Sequence, residues 1–197
     1  MKIAVFVDVQ NDFITGALRN DKAIAVLPEI IRFAEKCVGE GYKIYATRDT
    51  HDKTAYKTLA NGDDQTAKEI PCEGYLASLE GKRLPVEHCI RETSGWQIAD
   101  GLMDKLIGNC TFVDKPTFGS FDLVEIVEED LGSKVDEIVI CGFCTSICVL
   151  ANAVLLRAKF PNAKISVASN LCACVTAESH ETALKAIAMQ QIDVIEA

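Results

Sequence analysis

The residues that decide the fold are DEIVICGFCTSICVLANA, positions 136–153. The first half, 136–143, is an apolar run of β-branched character, and a helical pattern over 146–160 begins directly after Thr145. A strand that is hydrophobic on both faces and leads at once into a helix is typical of a parallel sheet with helices on both sides. The stretch therefore predicts a β-α unit.

The same unit recurs along the chain. The other short apolar runs are KIAVFVDV (2–9), KIYATRD (43–49), TFVDK (111–115), KISVAS (164–169) and IDVIE (192–196). The other amphipathic helical patterns cover 21–38, 120–131 and 179–190. This alternation predicts a doubly wound, Rossmann-like α/β fold, in which a six-stranded parallel sheet carries helices on both faces and the crossovers are right-handed.

One interval breaks the alternation. Between about Thr50 and Asn109 no clear strand is predicted, and the segment 59–74 is polar and rich in Gly, Asn and Asp. The chain has 197 residues, of which 49% are apolar, so it can bury one substantial core and we expect a single domain over 1–197. Because loops this long inside a domain are usually functional, we interpret 50–109 as a functional region inserted within it.

The composition limits the kinds of molecule that this protein is expected to bind. A formal net charge of -9 argues against nucleic acid, which needs a basic face, so we expect a small-molecule partner. The apolar runs are far shorter than the roughly 20 residues of a membrane span, and the N-terminus shows no signal-peptide pattern. Most of the nine cysteines lie in apolar segments rather than in loops, so we expect reduced thiols in a soluble, cytoplasmic protein.

Chemically active side chains follow four of the predicted strands. Asp8 ends the first strand and Lys115 ends the third, while Cys148 follows the fourth. In a doubly wound sheet the carboxyl ends of the strands share one edge, where ligands bind, so these groups should converge. Each also has a simpler interpretation, because Asp is common at turns and Lys is usually a solvated charge.

The second strand ends at Asp49, which is followed by His51, and His88 lies in the same 50–109 interval. One carboxylate and two imidazoles form a ligand set suited to a catalytic Zn²⁺ or a similar divalent ion. A D-x-H pair alone is weak evidence, but two of only three histidines in the chain lie in this interval. We therefore interpret the interval as the metal-binding and lid region.

The cysteines of the opening stretch differ in context. Cys141 lies inside the predicted strand, which disfavours a redox pair with Cys144, and Cys172 and Cys174 lack the spacing of a second zinc-finger pair. Cys148 lies in the first turn of the helix, where N–H groups and the helix dipole stabilise a thiolate. The same N–H groups would face an oxyanion formed at an attacked carbonyl. The residues alone are compatible with two roles for Cys148, a nucleophile or a buried packing residue.

Five stretches occur in the order of a known family: VFVDVQNDFITGAL (5–18), TRDTH (47–51), LPVEHCIRETSGW (84–96), VDKPTFGSF (113–121) and CGFCTSICVLANA (141–153). On these motifs the sequence resembles the isochorismatase-like cysteine hydrolases, the superfamily that includes the nicotinamidases, over essentially the whole chain. It differs from the W-H-P run that is common in nicotinamidases, since it reads DTHDKTAY after the second strand.

The resemblance implies a catalytic triad of Asp8, Lys115 and Cys148. Asp8 would take the thiol proton, Lys115 would support both charges, and Cys148 would attack an amide carbonyl. The backbone N–H groups of Cys144 and Cys148 would form the oxyanion hole, and the Phe143–Cys144 peptide bond would be cis. Cys141 is then left as a small core residue.

The resemblance also implies that Asp49, His51 and His88 bind a divalent metal, zinc in the first place and iron or manganese otherwise. Glu80 is either a fourth ligand or a surface carboxylate. Phe13 and Trp96 are either aromatic walls for a flat substrate or ordinary core residues. These six positions complete the candidate site.

The implied reaction is hydrolysis of a small amide through a thioester, with nicotinamide giving nicotinate and ammonia as the first candidate. The alternative within enzymes is an amidase for carbamoyl, ureido or other non-aromatic amides. A catalytically silent small-molecule-binding module is disfavoured, because no G-x-G-x-x-G follows the first strand. Relatives are often dimers or tetramers, so we expect a homo-oligomer.

Overall fold

The computed structural model describes residues 1–59 and 68–197. Its strands are β1 (Lys2–Val7), β2 (Lys43–Asp49), β3 (Ala55–Leu59), β4 (Lys68–Glu73), β5 (Cys110–Lys115), β6 (Glu137–Phe143), β7 (Lys164–Ala173) and β8 (Asp193–Ile195). Six of them form one sheet in the order β5-β2-β1-β6-β7-β8, and every neighbouring pair is parallel. The predicted single-domain α/β fold with a six-stranded parallel sheet is confirmed.

The central strands are apolar on both faces because helices cover both. β1 is buried from its second residue to its last, and its neighbour β6 is buried in every residue after Glu137. In the register, Val5 of β1 lies between Tyr45 of β2 and Ile140 of β6, and all three side chains are buried. Because of these uninterrupted apolar runs, the strands could be predicted from the sequence.

The helices are α1 (Asn11–Ile14), α2 (Asp21–Gly39), α3 (Leu79–Arg83), α4 (Asp100–Leu106), α5 (Phe121–Leu131), α6 (Leu150–Lys159) and α7 (Ala177–Met189). α2 packs against α4, while α6 packs against both α5 and α7. A π-helical turn, Thr145–Val149, precedes α6. Such turns are frequent at functional sites, and this one carries Cys148.

Two boundaries differ from the sequence predictions. The expectation of no strand between Thr50 and Asn109 is wrong, because β3 and β4 form an antiparallel pair that is separate from the main sheet. This pair lacks the apolar runs of a strand buried on both faces. β7 continues to Ala173, past the polar Ser169 and Asn170. Of the polar segment 59–74, residues 60–67 lie outside the described residues.

The strand order locates the site. The chain moves from β1 outward to β2 and β5, then returns to β6 on the other side of β1 and continues to β7 and β8. The reversal point lies between β1 and β6, and ligands of doubly wound sheets bind at the carboxyl ends of strands there. Within the described ranges no helix is long and apolar enough to cross a membrane.

Candidate active site

A buried ion pair lies at the carboxyl end of β1. Asp8 and Lys115 are 0% and 1% exposed, and Lys115 Nζ lies 2.7 Å from Asp8 Oδ2. Thr47 of β2 fixes the carboxylate, because its hydroxyl donates to Asp8 Oδ1 at 2.6 Å and its Oγ1 also accepts from the Asp8 N–H at 3.2 Å. Asp8 has a φ of 51°, which turns its backbone out of the strand direction. The sequence analysis gave Thr47 no role, although it lies in the TRDTH motif.

Lys115 reaches beyond Asp8. Its Nζ donates to Cys148 Sγ at 3.5 Å and to the Thr117 carbonyl at 3.1 Å, and it lies 3.6 Å from Asp49 Oδ1. Asp8 Oδ2 and Asp49 Oδ1 accept no well-aligned hydrogen bond from the described residues, so both depend on this ammonium group. One lysine therefore joins the thiol, the acid and the neighbouring carboxylate.

Cys148 lies on the π-helical turn at the end of β6 and is 5% exposed. Asn152, one turn further on, donates to the Cys148 carbonyl at 2.8 Å and fixes the start of the helix. The peptide bond between Phe143 and Cys144 is cis. The structure thus brings the predicted nucleophile, the oxyanion-hole positions and the ion pair to one strand end.

The electrostatics of the triad favour a neutral thiol at rest. Burial, followed by the Asp8 carboxylate, raises the pKa of Cys148 well above its ordinary value, although Lys115 opposes this. Burial and Asp49 also raise the pKa of Asp8 against the opposing effect of Lys115. Burial disfavours the charged lysine, but Asp8, Cys148 and Asp49 together raise the pKa of Lys115. The raised pKa of Asp8 favours its acceptance of a proton from the neighbouring thiol.

Four predicted metal ligands lie beside the triad. One ligand atom from each of Asp49, His51, Glu80 and His88 lies within 4.8 Å of the others. Asp49 Oδ2 lies 3.1 Å from His51 Nε2 and 3.3 Å from His88 Nε2, and Glu80 Oε1 lies 3.9 Å from His51 Nε2. Glu80, which the sequence left as ligand or surface carboxylate, belongs to the cluster.

This cluster fits a divalent cation. His88 Nδ1 donates to the Val86 carbonyl at 2.8 Å, so in the neutral imidazole Nε2 is the nitrogen that can bind a metal. Asp49 Oδ1 is buried without a well-aligned hydrogen bond from the described residues. Burial, followed by the charge of Asp49, raises the pKa of Glu80 although His51, His88 and Lys115 oppose this, so a bound cation would stabilise the Glu80 carboxylate. Two carboxylates and two imidazoles suit zinc, iron or manganese.

Tyr75 supports the two histidines, and the sequence analysis missed it. Its ring centroid lies 4.5 Å from that of His51 and 4.9 Å from that of His88, and its hydroxyl donates to the Leu84 carbonyl at 2.9 Å. Gly74 allows this approach, because it has a φ of 77° and a Cβ there would lie 2.3 Å from the Lys53 carbonyl oxygen. No pattern in the 50–109 interval marked this tyrosine.

Gln10 fixes the backbone of a metal ligand and was also missed. Its side chain accepts from the Asp49 N–H at 2.7 Å and donates to the Asp49 and Trp96 carbonyls, both at 2.9 Å. Gln10 is fully buried, so these bonds satisfy both ends of its amide. The available signal was its place in the opening motif, VFVDVQNDF.

A cavity of about 1420 Å³ is lined by Cys148 and by the four predicted metal ligands. Phe13 lines it together with Cys148. Trp96 does not: its ring lies under the Arg48 guanidinium at 3.9 Å, and its Nε1 donates to Thr50 Oγ1 at 2.8 Å. Of the two interpretations of Trp96, substrate wall or packing residue, these contacts with Arg48 and Thr50 favour packing.

Comparison with known proteins identifies the family and related folds. A model of the isochorismatase domain matches residues 2–197. The nicotinamidase of Saccharomyces cerevisiae is 27% identical over 174 residues, which cover 78% of this chain and 80% of the yeast protein. The pyrazinamidase/nicotinamidase structure from Streptococcus mutans has a TM-score of 0.77 at 25% identity, over 99% of this chain and 100% of that one. The zinc complex of Pyrococcus horikoshii pyrazinamidase has a TM-score of 0.76 at 21% identity, over 100% and 99% of the two chains.

Proposed function

This chain belongs to the isochorismatase family, and from that premise we propose that it hydrolyses a small amide through a Cys148 thioester, with nicotinamide as the first candidate substrate. The observation that carries the proposal is the buried Lys115, which contacts Asp8, Cys148 and Asp49 at one strand end. A purely structural lysine would not need a thiol and two carboxylates as neighbours. The yeast and Streptococcus relatives, named for nicotinamide and pyrazinamide hydrolysis, support the choice of substrate.

The first step is attack by Cys148. The thiol proton passes to Asp8, whose raised pKa favours its acceptance, and the sulfur forms a bond with the amide carbonyl carbon. Lys115 remains charged and stabilises the sulfur as its negative charge develops. The carbonyl oxygen becomes an oxyanion, for which the N–H groups of Cys144 and Cys148 are the proposed donors.

The second step releases the product. Protonated Asp8 gives its proton to the departing nitrogen, so the C–N bond breaks and ammonia leaves with nicotinamide as substrate. The acyl group stays on Cys148 as a thioester. Asp8 then accepts a proton from an incoming water, which hydrolyses the thioester, and returning that proton to the sulfur restores the thiol. Asp8 thus acts as base, acid, base and acid again in one cycle.

A divalent ion held by Asp49, His51, His88 and Glu80 would supply a Lewis-acid contact to a ring nitrogen or another lone pair of the substrate. Asp49 lies 3.6 Å from Lys115 Nζ, which supports a metal site next to the proposed triad. Phe13, which lines the cavity, offers an aromatic ring to a flat substrate. The proposed site therefore recognises one side of the ring and attacks the amide on the other.

The same proposal places the enzyme in the cytoplasm. The cysteines at positions 37, 89, 110, 141, 144, 148, 172 and 174 are free thiols, which suits a reducing compartment. The reaction also requires Cys148 to stay reduced. A reducing environment is thus a condition of the mechanism as well as an expectation from composition.

Ammonia release from nicotinamide by purified protein tests the function. Turnover should be lost on chelation, return with zinc or manganese, and fall at least 1000-fold in Cys148→Ala, because the nucleophile is absent. Cys110→Ala is the matched control, since Cys110 lies on edge strand β5 and outside the cavity. A hydroxylamine trap should yield the hydroxamate only where Cys148 is present.

The outcomes separate the candidates. Full activity in Cys148→Ala would disprove the thioester. Turnover of carbamoyl or ureido amides without any effect of chelation, together with none of nicotinamide, would keep the triad and replace the substrate. A folded protein that hydrolyses none of these amides would favour a binding module.

A further inference from the structure

We propose that Asp12 is a positioning residue that sets the geometry of the metal ligands through the backbone of Cys89. The inference rests on the proposed function only in so far as the cluster around Asp49 binds a divalent ion. Asp12 lies on α1, just after β1, and is 9% exposed. It is not a metal ligand, because its carboxylate is already held by two backbone N–H groups.

The contacts of Asp12 are specific. Oδ2 accepts from the Cys89 N–H at 2.6 Å, and Oδ1 accepts from the Ala17 N–H at 2.9 Å. Hydrogen bonds from backbone N–H groups to a carboxylate are short and roughly twice as strong as neutral ones. Cys89 directly follows His88 in the chain, so the carboxylate anchors the loop that presents this histidine.

The anchored residue is strained and shared between two ligands. Cys89 has a φ of 47°, a left-handed conformation that non-glycine residues rarely adopt. Its carbonyl accepts from the His51 N–H at 3.0 Å. Asp12 therefore binds the N–H of Cys89, and the carbonyl of Cys89 binds the N–H of His51. His88 is the residue before Cys89 in the chain. Releasing Cys89 would let both imidazoles move relative to Asp49.

Two glycines make room for this carboxylate. A Cβ on Gly16 would lie 2.2 Å from Asp12 Oδ1, and a Cβ on Gly95 would lie 2.2 Å from Asp12 Oδ2. Neither glycine has the left-handed φ that would by itself require glycine. Space for the Asp12 carboxylate thus explains Gly95, whose nearest neighbours all lie in that side chain, whereas a Cβ on Gly16 would also meet the Asp12 Cα at 2.7 Å.

Substitution Asp12→Asn tests the role of the carboxylate while keeping its shape. The amide nitrogen is a donor and would face one of the two N–H donors, so the clamp on Cys89 or on Ala17 must open. Loss of a residue that orients metal ligands typically weakens metal affinity about 10- to 100-fold. We expect that loss for Zn²⁺, measured by competition with a chromophoric chelator.

A second variant, Gly95→Ala, tests the same carboxylate without changing any charge. Gly95→Ala places a methyl group against Oδ2 and displaces the same carboxylate, so it should weaken Zn²⁺ binding in the same direction. Two matched controls should bind Zn²⁺ like the wild type. Asp193→Asn removes an exposed carboxylate on edge strand β8, and Gly39→Ala adds a methyl group with nothing within 4 Å.

The readout must separate ligand geometry from fold stability. The visible spectrum of bound Co²⁺ reports the arrangement of the ligands, and it should shift in Asp12→Asn and Gly95→Ala. Urea unfolding of the metal-free variants reports any general destabilisation. A structural role alone would lower the unfolding midpoint and leave the Co²⁺ spectrum of the folded protein unchanged.

An Asp12→Asn protein with wild-type Zn²⁺ affinity and Co²⁺ spectrum would overturn the inference, even if nicotinamide turnover is metal-dependent. Weakened Zn²⁺ binding in Asp12→Asn and Gly95→Ala would support it, even if nicotinamide proves not to be the substrate. A wild-type protein that binds neither metal would refute both the inference and the metal part of the proposed function.

Discussion

Replacing Lys115 with methionine should destabilise the protein by about 3–5 kcal/mol, the usual result of breaking a buried ion pair on one side. With an effective dielectric constant of about 20, opposite charges attract by about 6 kcal/mol at the 2.7 Å of Asp8 and by about 5 kcal/mol at the 3.6 Å of Asp49. Burial of the ammonium group offsets several kcal/mol of this. The remaining loss is a large part of the roughly 5–15 kcal/mol that stabilises a domain.

Urea unfolding at pH 7, with chelator present and circular dichroism as the probe, measures this loss. The double variant Asp8→Asn, Lys115→Met should regain more than half of it, because it removes the buried carboxylate along with its partner. Neither protein should release ammonia from nicotinamide, since one lacks the lysine and the other also lacks the base. The double variant should therefore regain stability without regaining activity.

Two results would refute this reasoning. The first is an unfolding free energy of Lys115→Met within about 0.5 kcal/mol of the wild type, the range of an ordinary surface substitution. The second is a double variant no more stable than Lys115→Met, which would show that Asp8 does not carry the uncompensated charge.

Three further predictions concern single residues. Gln10→Leu should weaken Zn²⁺ binding about tenfold or more, measured by chelator competition, because the Asp49 backbone loses its two hydrogen bonds. Phe13→Ala should raise KM for nicotinamide about tenfold through lost ring contact, whereas Trp96→Phe should lower stability by about 1 kcal/mol and leave KM unchanged. Burial raises the pKa of Cys172 from 9.0 to about 12, so its stabilising contribution is complete below pH 9 and is lost as pH rises to 12. Unfolding free energy measured over that range should fall less steeply in Cys172→Ala.

The sheet could be predicted from sequence because each parallel strand is covered on both faces. That requirement produces apolar runs such as β1, whose residues from Ile3 to Val7 are all 0% exposed. The pair β3 and β4 stands apart from this sheet, so no such run marked it. The prediction failed for strands outside the main sheet, whose sequences AYKTL and KEIPCE are not continuous apolar runs.

The candidate site could be predicted only where residues follow strand ends or match a family motif. Asp8 and Lys115 satisfy both conditions, and the structure joins them at 2.7 Å. Tyr75 satisfies neither, because its contact with the histidines depends on the path of the chain after β4. Trp96 matches the motif, yet its surroundings depend on Arg48, which is far away in sequence.

The opening motif D-x-Q-x-D acquires a physical explanation from these contacts. Asp8 binds Lys115, Gln10 binds the Asp49 backbone and Asp12 binds the Cys89 backbone, so alternate residues of one segment each hold a different crossing chain. The segment begins at the end of β1, in the middle of the sheet, where it is fixed between β2 and β6. Because all three side chains share that anchor, we expect a shift at any one of them to change the distance between the proposed triad and the predicted metal ligands. With Asp8, Gln10 and Asp12 two residues apart, the end of β1 can therefore position both the proposed triad and the predicted metal ligands.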